Sequence, residues 1–410
     1  MSKELWDIRE HVIPASHIRG FSRGVQNERT GHLRLAVKQY LPRKTSGSTA
    51  GNVTLIMAHG IGSSKESYEP FYDELLNRDL PIRAVWAMDV AHHGASYLLN
   101  QDRIGDDPHW LDSSRDMMQM VNHFQELMPA PLVALGQSWG NVTIAGLSLM
   151  SLMHPRLFAA MVFLEPTFAT NPMIRRKYRA NRIADRSHRG VAMAKRQDIS
   201  PSLATARERL RANPYYGAFD ARVFERVMKY DLRPASAERC AEVGSLDAVT
   251  LVTPKAMEVA TMMRPDPPLD GYPEEPDFHN RPGDIDATIV QGFYRGEVVK
   301  MYEDLPGILP PTLLVWAGKS LAGTGYTQDI TNRIGVGYGG NGGIMTGRVK
   351  SVDIPDIGHP LPLEKPGVVA EVVAGWLQHE IVTWSASQQK AQPPFNAALH
   401  TGIIERIAKL

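Results

Sequence analysis

The chain has 410 residues, of which 43% are apolar and 22% charged, the balance of an ordinary globular protein. A net charge of +1 gives no global pull toward nucleic acid or an anionic membrane, and no apolar run reaches the ~18 residues of a membrane span. The single cysteine, Cys240, excludes an internal disulfide framework and fits a reducing compartment.

The opening stretch MSKELWDIREHV carries acids and no long apolar core, so it does not read as a signal or transit peptide. HVIPASHIRGF and LRLAVKQYLP predict two early antiparallel strands. NVTLIMAHG is a near-continuous apolar run, the pattern of a strand buried on both faces. A helix over SYEPFYDELLNR, a strand over IRAVWAMDV and the loop AHHGAS follow. DSSRDMMQMVNHFQELM predicts a helix with Asp112 or Ser113 as its N-cap. APLVALG is a strand, NVTIAGLSLMSLMHP a helix and AAMVFLEP a strand. Strands alternating with helices imply a mostly parallel, twisted sheet with right-handed crossovers, an α/β fold.

The rhythm breaks after Pro166. Residues 167–305 are charged helices and Pro-rich loops, read as a large, mainly helical lid inserted into the sheet domain. The strand pattern resumes with PPTLLVWAG and RVKSVDIPDIGH, and the helix GVVAEVVAGWLQHEI closes it. Residues 1–166 and 306–400 are thus the two parts of one core, and 401–410 form a tail. GVGYGGNGGIMTG lacks the Gly-Lys-Ser/Thr ending of a phosphate loop and reads as a mobile surface loop, so no cofactor is expected.

The chemistry gathers at GQSWG, which stands between a buried strand and a helix. That junction either needs glycines only to turn, or turns to hold Ser138 out as a nucleophile. The strand–turn–helix context favours the nucleophile; GKSLA around Ser320 lacks the apolar helix that should follow. A serine needs a base, and His359 comes after the last strand, at the same sheet edge. Backbone donors for an oxyanion would be the N–H groups of Trp139 and, from the loop after LIMAHG, Ile61. His59 reads as a loop-bracing residue. For the acid, KSLAGTGYTQ supplies none before Asp329, whereas the strand MVFLEP ends on Glu165. Glu165 is favoured and Asp329 is the alternative.

LIMAHG, AMDVAHHGAS, GQSWGN and IGHPLPLEKP, in this order, resemble the α/β-hydrolase superfamily over most of the chain outside the lid. A narrower resemblance is to fungal peroxisomal hydrolases of secondary metabolism. These include toxin-biosynthesis proteins and the acyl-CoA hydrolase of mycophenolic acid biosynthesis. The strand end FLEP, the segment VTLVTPKAMEVA (Val249 to Ala260) and the ending AKL carry it. The resemblance implies an acid after the sixth strand, in agreement with Glu165, and acyl-CoA thioesters as substrates.

Seven basic residues crowd RRKYRANRIADRSHR, with Arg175, Arg176 and Arg179 at its start. They are either a solvated helix face or contacts for CoA phosphates. Metal binding is not expected, since adjacent His92 and His93 should point apart and no Cys/His/Asp spacing completes a site. Ala408-Lys409-Leu410 has the small–basic–leucine form read by the peroxisomal import receptor, from which import into the peroxisome is expected. Three functions remain open: acyl-CoA thioester hydrolysis, carboxylester or lactone hydrolysis, and a non-hydrolytic acyltransferase or cyclase on the same fold.

Overall fold

The computed structural model describes residues 2–27, 32–43, 52–150, 157–168, 189–263, 295–320, 323–391 and 398–410. The strands among them, in chain order, are β1 (Trp6–Pro14), β2 (Arg34–Pro42), β3 (Val53–Ala58), β4 (Ile82–Met88), β5 (Leu132–Gln137), β6 (Ala160–Leu164), β7 (Ile199–Ser200), β8 (Leu232–Pro234), β9 (Val249–Leu251), β10 (Thr312–Ala317) and β11 (Val349–Ile354). Eight form one sheet in the order β1-β2-β4-β3-β5-β6-β10-β11. β1 pairs antiparallel with β2, and β2 with β4; all other neighbours are parallel. Parallel neighbours need crossovers, and the helices Glu69–Leu76, Asp112–His123 and Trp139–Met150 supply three of them.

The apolar runs become strands because the sheet is covered on both faces. Every residue of β3, β5, β6 and β10 is buried. Alternate side chains divide between two cores. Leu55, Met57, Val133 and Leu135 pack with Phe71 and Tyr72, while Ile56, Ala58 and Ala134 pack with Trp139 and Val142.

Several elements differ from the sequence reading. The first strand starts at Trp6 and ends at Pro14, Ala15 N still donates to the Leu33 carbonyl, and Ser16 to Phe21 leave the ladder. Acids of the helix Asp112–His123 hold them instead: Ser16 N and Arg19 bond to Asp116, and Gly20 N donates to Asp112 Oδ1. For the same reason neither Asp112 nor Ser113 caps that helix. Leu111 occupies the cap position without a side-chain bond, and Ser113 Oγ turns to the Trp110 carbonyl. Residues Thr324–Arg333 form a polar helix, and the closing helix runs on to Ala391. The glycine-rich loop lies at the surface, but backbone bonds from Gly335, Gly337 and Asn341 to Leu305, Pro306 and Ile308 pin it.

Between β6 and β10, residues 189–263 contain five helices of seven residues or more: Arg189–Lys195, Leu203–Ala212, Ala221–Tyr230, Ala237–Val243 and Lys255–Met262. They also contain an antiparallel sheet in the order β7-β9-β8. Its strands are two or three residues long, too short to leave an alternating pattern. Leu210, Phe224 and Val227 from these helices join Tyr68 and Tyr72 in one apolar cluster, which seats the segment on the core.

Candidate active site

Ser138 is the residue between the end of β5 and the helix Trp139–Met150, and its φ of 56° is left-handed. Few non-glycine residues take that conformation, so the surroundings must hold it. Ser138 N donates to the Leu164 carbonyl at 3.0 Å, and Asn141 Nδ2 donates to the Ser138 carbonyl at 3.0 Å. The flanking glycines are steric requirements. A Cβ on Gly136 would stand 2.6 Å from the Gly140 carbonyl oxygen, and one on Gly140 would collide with the Ala58 carbonyl. The GxSxG spacing therefore follows from how tightly strand, turn and helix cross.

His359 Nε2 lies 2.8 Å from Ser138 Oγ. Its loop follows β11 and is anchored by Gly358 N donating to Glu364 Oε2 at 2.8 Å. Register explains how Glu165 meets it. Gln137 pairs with Leu164 across β5 and β6, so Ser138 and Glu165 are the next residues on neighbouring strands. Glu165 also has a left-handed φ, 49°, and is buried. Its Oε2 accepts the Ala317 N–H at 2.7 Å, and its Oε1 stands 3.7 Å from His359 Nδ1. That distance is too long for a hydrogen bond and lies within ion-pair reach once the ring is protonated. Asp329 sits in the helix Thr324–Arg333 and accepts the Tyr302 hydroxyl at 2.7 Å.

The loop after β3 comes against the turn: a Cβ on Gly60 would stand 3.4 Å from Ser138 Cβ. Among the described residues, neither the Trp139 nor the Ile61 backbone N–H donates a hydrogen bond. His59 braces this loop, as its position suggests. Val90 N donates to its Nε2 at 3.1 Å, so the proton is on Nδ1, which faces the Gly60 carbonyl at 2.9 Å. Burial lowers the His59 pKa and keeps the ring neutral. Holding the Gly60 carbonyl fixes the Gly60–Ile61 peptide plane, and thus the direction of the Ile61 N–H.

His92 and His93 do not point apart. Their rings lie 4.7 Å apart and both pack on Trp139, at 5.8 and 5.7 Å. Burial, followed by nearby Arg295, pushes the His92 pKa down to about 3, and burial pushes His93 well below its ordinary value. The pair therefore packs as neutral rings. No group of three His, Cys, Asp or Glu side chains suited to a metal occurs among the described residues, and no helix among them is long and apolar enough to cross a membrane.

Arg175, Arg176 and Arg179 lie outside the described residues. Three contributors to the site's geometry escaped the sequence reading. Asn141 and Gln137 stand within or beside the GQSWGN motif, where their amides could have been questioned. Tyr68 precedes the helix Glu69–Leu76 and carries no sequence signal.

A family model described as "Alpha/beta hydrolase family" matches residues 55–372. The type I acyl-CoA thioesterase mpaH' of Penicillium brevicompactum is 31% identical over 431 residues, covering 100% of this chain and 96% of that protein. The abhydrolase domain-containing protein ACTT2-1 of Alternaria alternata is 24% identical, over 63% of this chain and 87% of its own length. Among solved structures, the peroxisomal alpha-beta-hydrolase Lpx1 of Saccharomyces cerevisiae superposes with a TM-score of 0.70. Identity there is 14%, with 99% of this chain and 97% of that chain covered.

Proposed function

Because the chain is an enzyme of the alpha/beta hydrolase family, we propose that Ser138 is its nucleophile, His359 its base and Glu165 the acid that holds the imidazolium. The 2.8 Å between Ser138 Oγ and His359 Nε2, at the exit of β5, carries this reading. With the Nδ1 proton facing Glu165, the Nε2 lone pair is free for the serine proton. Oγ bonds to an acyl carbon as its proton passes to Nε2, and the oxyanion takes the N–H groups of Trp139 and Ile61. Collapse breaks the bond to the leaving group, which collects the proton from Nε2. Water then repeats the sequence on the acyl-enzyme, releasing the carboxylic acid and restoring Ser138.

The substrate class we infer is an acyl-CoA thioester. Its support is the full-length similarity to a relative named type I acyl-CoA thioesterase. A thiolate also leaves more readily than an amine. Residues 1–166 and 306–400 are read as the hydrolase core and 167–305 as its lid. In the lid, Arg175, Arg176 and Arg179 supply cations for the CoA phosphates. Similarity to a peroxisomal hydrolase, with exposed Ala408-Lys409-Leu410 in the tail 401–410, supports import into the peroxisome.

Two assays test this. Ser138→Ala in a folded protein is expected to lose turnover by roughly 10⁴-fold or more; near wild-type turnover removes the mechanism. CoA thioesters screened against matching oxygen esters should show preference for the thioesters. Equal or better ester cleavage assigns the enzyme to carboxylester or lactone hydrolysis.

A further inference from the structure

Behind the Ser138–His359 pair a hydrogen-bond chain joins three loops. The Gly60 N–H donates to the Tyr68 hydroxyl at 3.0 Å. That hydroxyl donates to Gln137 Oε1 at 3.0 Å, and Gln137 Nε2 donates to the His359 carbonyl at 3.2 Å. Its polarity is fixed by chemistry. A backbone N–H can only donate and a carbonyl can only accept, so the phenol and the amide between them have one consistent orientation. Tyr68 is fully buried and Gln137 nearly so. Burial raises the phenol well above its ordinary value, so the hydroxyl keeps its proton.

We propose that Tyr68 and Gln137 are positioning residues that lock the Gly60–Ile61 loop to the His359 loop through the residue preceding the nucleophile. This rests on the reading of Ser138 and His359 above. A Cβ on Gly60 would stand 2.3 Å from Gln137 Oε1 and force that amide to shift, so the loop and the amide are in direct contact. His59 holds the Gly60 carbonyl and Tyr68 holds the Gly60 N–H, which leaves the loop little freedom to turn Ile61 N–H away. From the far end, Gln137 fixes the backbone that carries His359. One bond lost in the middle of the chain thus loosens oxyanion donor and base together.

The test uses Tyr68→Phe, Gln137→Met and the double variant in the full chain, with diisopropyl fluorophosphate as the probe. This reagent needs the nucleophile, base and oxyanion donors but no particular acyl group. Each single variant is expected to label about tenfold more slowly, with KM for an acyl thioester nearly unchanged and kcat lowered in parallel. The double variant should label no more slowly than the slower single one, because either change breaks the same chain. A purely structural role would reduce the labelled fraction and the melting temperature but leave the rate constant of the folded fraction alone. Wild-type labelling rates in the folded variants, or independent multiplying losses, overturn the proposal. Should Tyr68→Phe not fold, Gln137→Glu decides. It keeps the acceptor for Tyr68 but has no N–H for the His359 carbonyl, so slower labelling supports the coupling and an unchanged rate overturns it. Failure of the nucleophile reading is separate: wild-type protein would then not be labelled at Ser138.

Discussion

Asn141 binds Leu164 as a strand neighbour would: its Oδ1 accepts from Leu164 N at 3.1 Å and its Nδ2 donates to the Leu164 carbonyl at 2.8 Å. A side chain on the helix Trp139–Met150 thereby pins the end of β6, one residue before Glu165. The same Nδ2 also reaches the Ser138 carbonyl. Asn141→Ala takes the acceptor from the buried Leu164 N–H and leaves the Leu164 and Ser138 carbonyls with only their backbone donors, Ser138 N and Asn141 N, at a cost of about 1–3 kcal/mol. Chemical denaturation should register that loss, and kcat should fall because Ser138 and Glu165 lose a common anchor. Unchanged stability and turnover would show that the turn holds itself.

Glu165→Gln should lower kcat by roughly two to four orders of magnitude, since an amide cannot stabilise the imidazolium as a carboxylate does. The amide oxygen can still accept the Ala317 N–H, so the fold should persist. Asp329→Asn should cost little, because that carboxylate accepts from the Tyr302 hydroxyl. Steady-state kinetics of the two variants settle the order, and a reversal would move the acid to Asp329.

His59→Phe should impair turnover more than folding. The ring space is kept, but the Gly60 carbonyl loses its 2.9 Å donor, keeping only the Ser63 N–H at 3.3 Å, and Val90 N loses its acceptor. We expect kcat to drop about tenfold or more, the range seen when oxyanion donors are weakened. Labelling of Ser138 by a phosphonate should slow in proportion. Wild-type rates would mean that the Ile61 N–H keeps its direction without the brace.

Asp112 supplies a pH test. Burial lifts its carboxyl to about 6, with Arg19 pulling it down and Asp116 pushing it up. The folded protein therefore binds more protons than the unfolded chain between about pH 4 and pH 6, and this group's contribution falls as pH rises through that window. Asp112→Asn does not titrate and keeps an oxygen for the Gly20 N–H. The stability of the variant relative to wild type should thus climb from pH 4 to pH 6, read from denaturant unfolding at each pH. A flat difference would place the folded carboxyl at its ordinary value.

The turn at Ser138 was legible because its cause is local. Two glycines are forced by contacts within eight residues or with the neighbouring strand end, and strand and helix announce themselves by apolar pattern. That His359 and Glu165 come together beside Ser138 was legible because strand ends of a parallel sheet share one edge. Tyr68 and Gln137 were not, since their roles come from loops that meet only in the folded sheet. Asp112 misled because a possible cap was drawn off by the Gly20 N–H, a partner 92 positions away. His92 and His93 misled because alternation holds for strands, and Val90 to His93 is a tight turn instead.

β6 and β10 are hydrogen-bonded neighbours, yet about 150 residues lie between them. A ribosome adds roughly 5–20 residues per second, so β6 waits on the order of ten to thirty seconds for the strand that covers its edge. Throughout that interval the nascent chain offers an apolar strand with open N–H and C=O groups. The backbone N–H of Ala317, which Glu165 Oε2 accepts, emerges only after the whole insertion. Synthesis of this enzyme therefore contains a built-in period of vulnerability to misassembly, during which a bound chaperone would guard one identifiable strand.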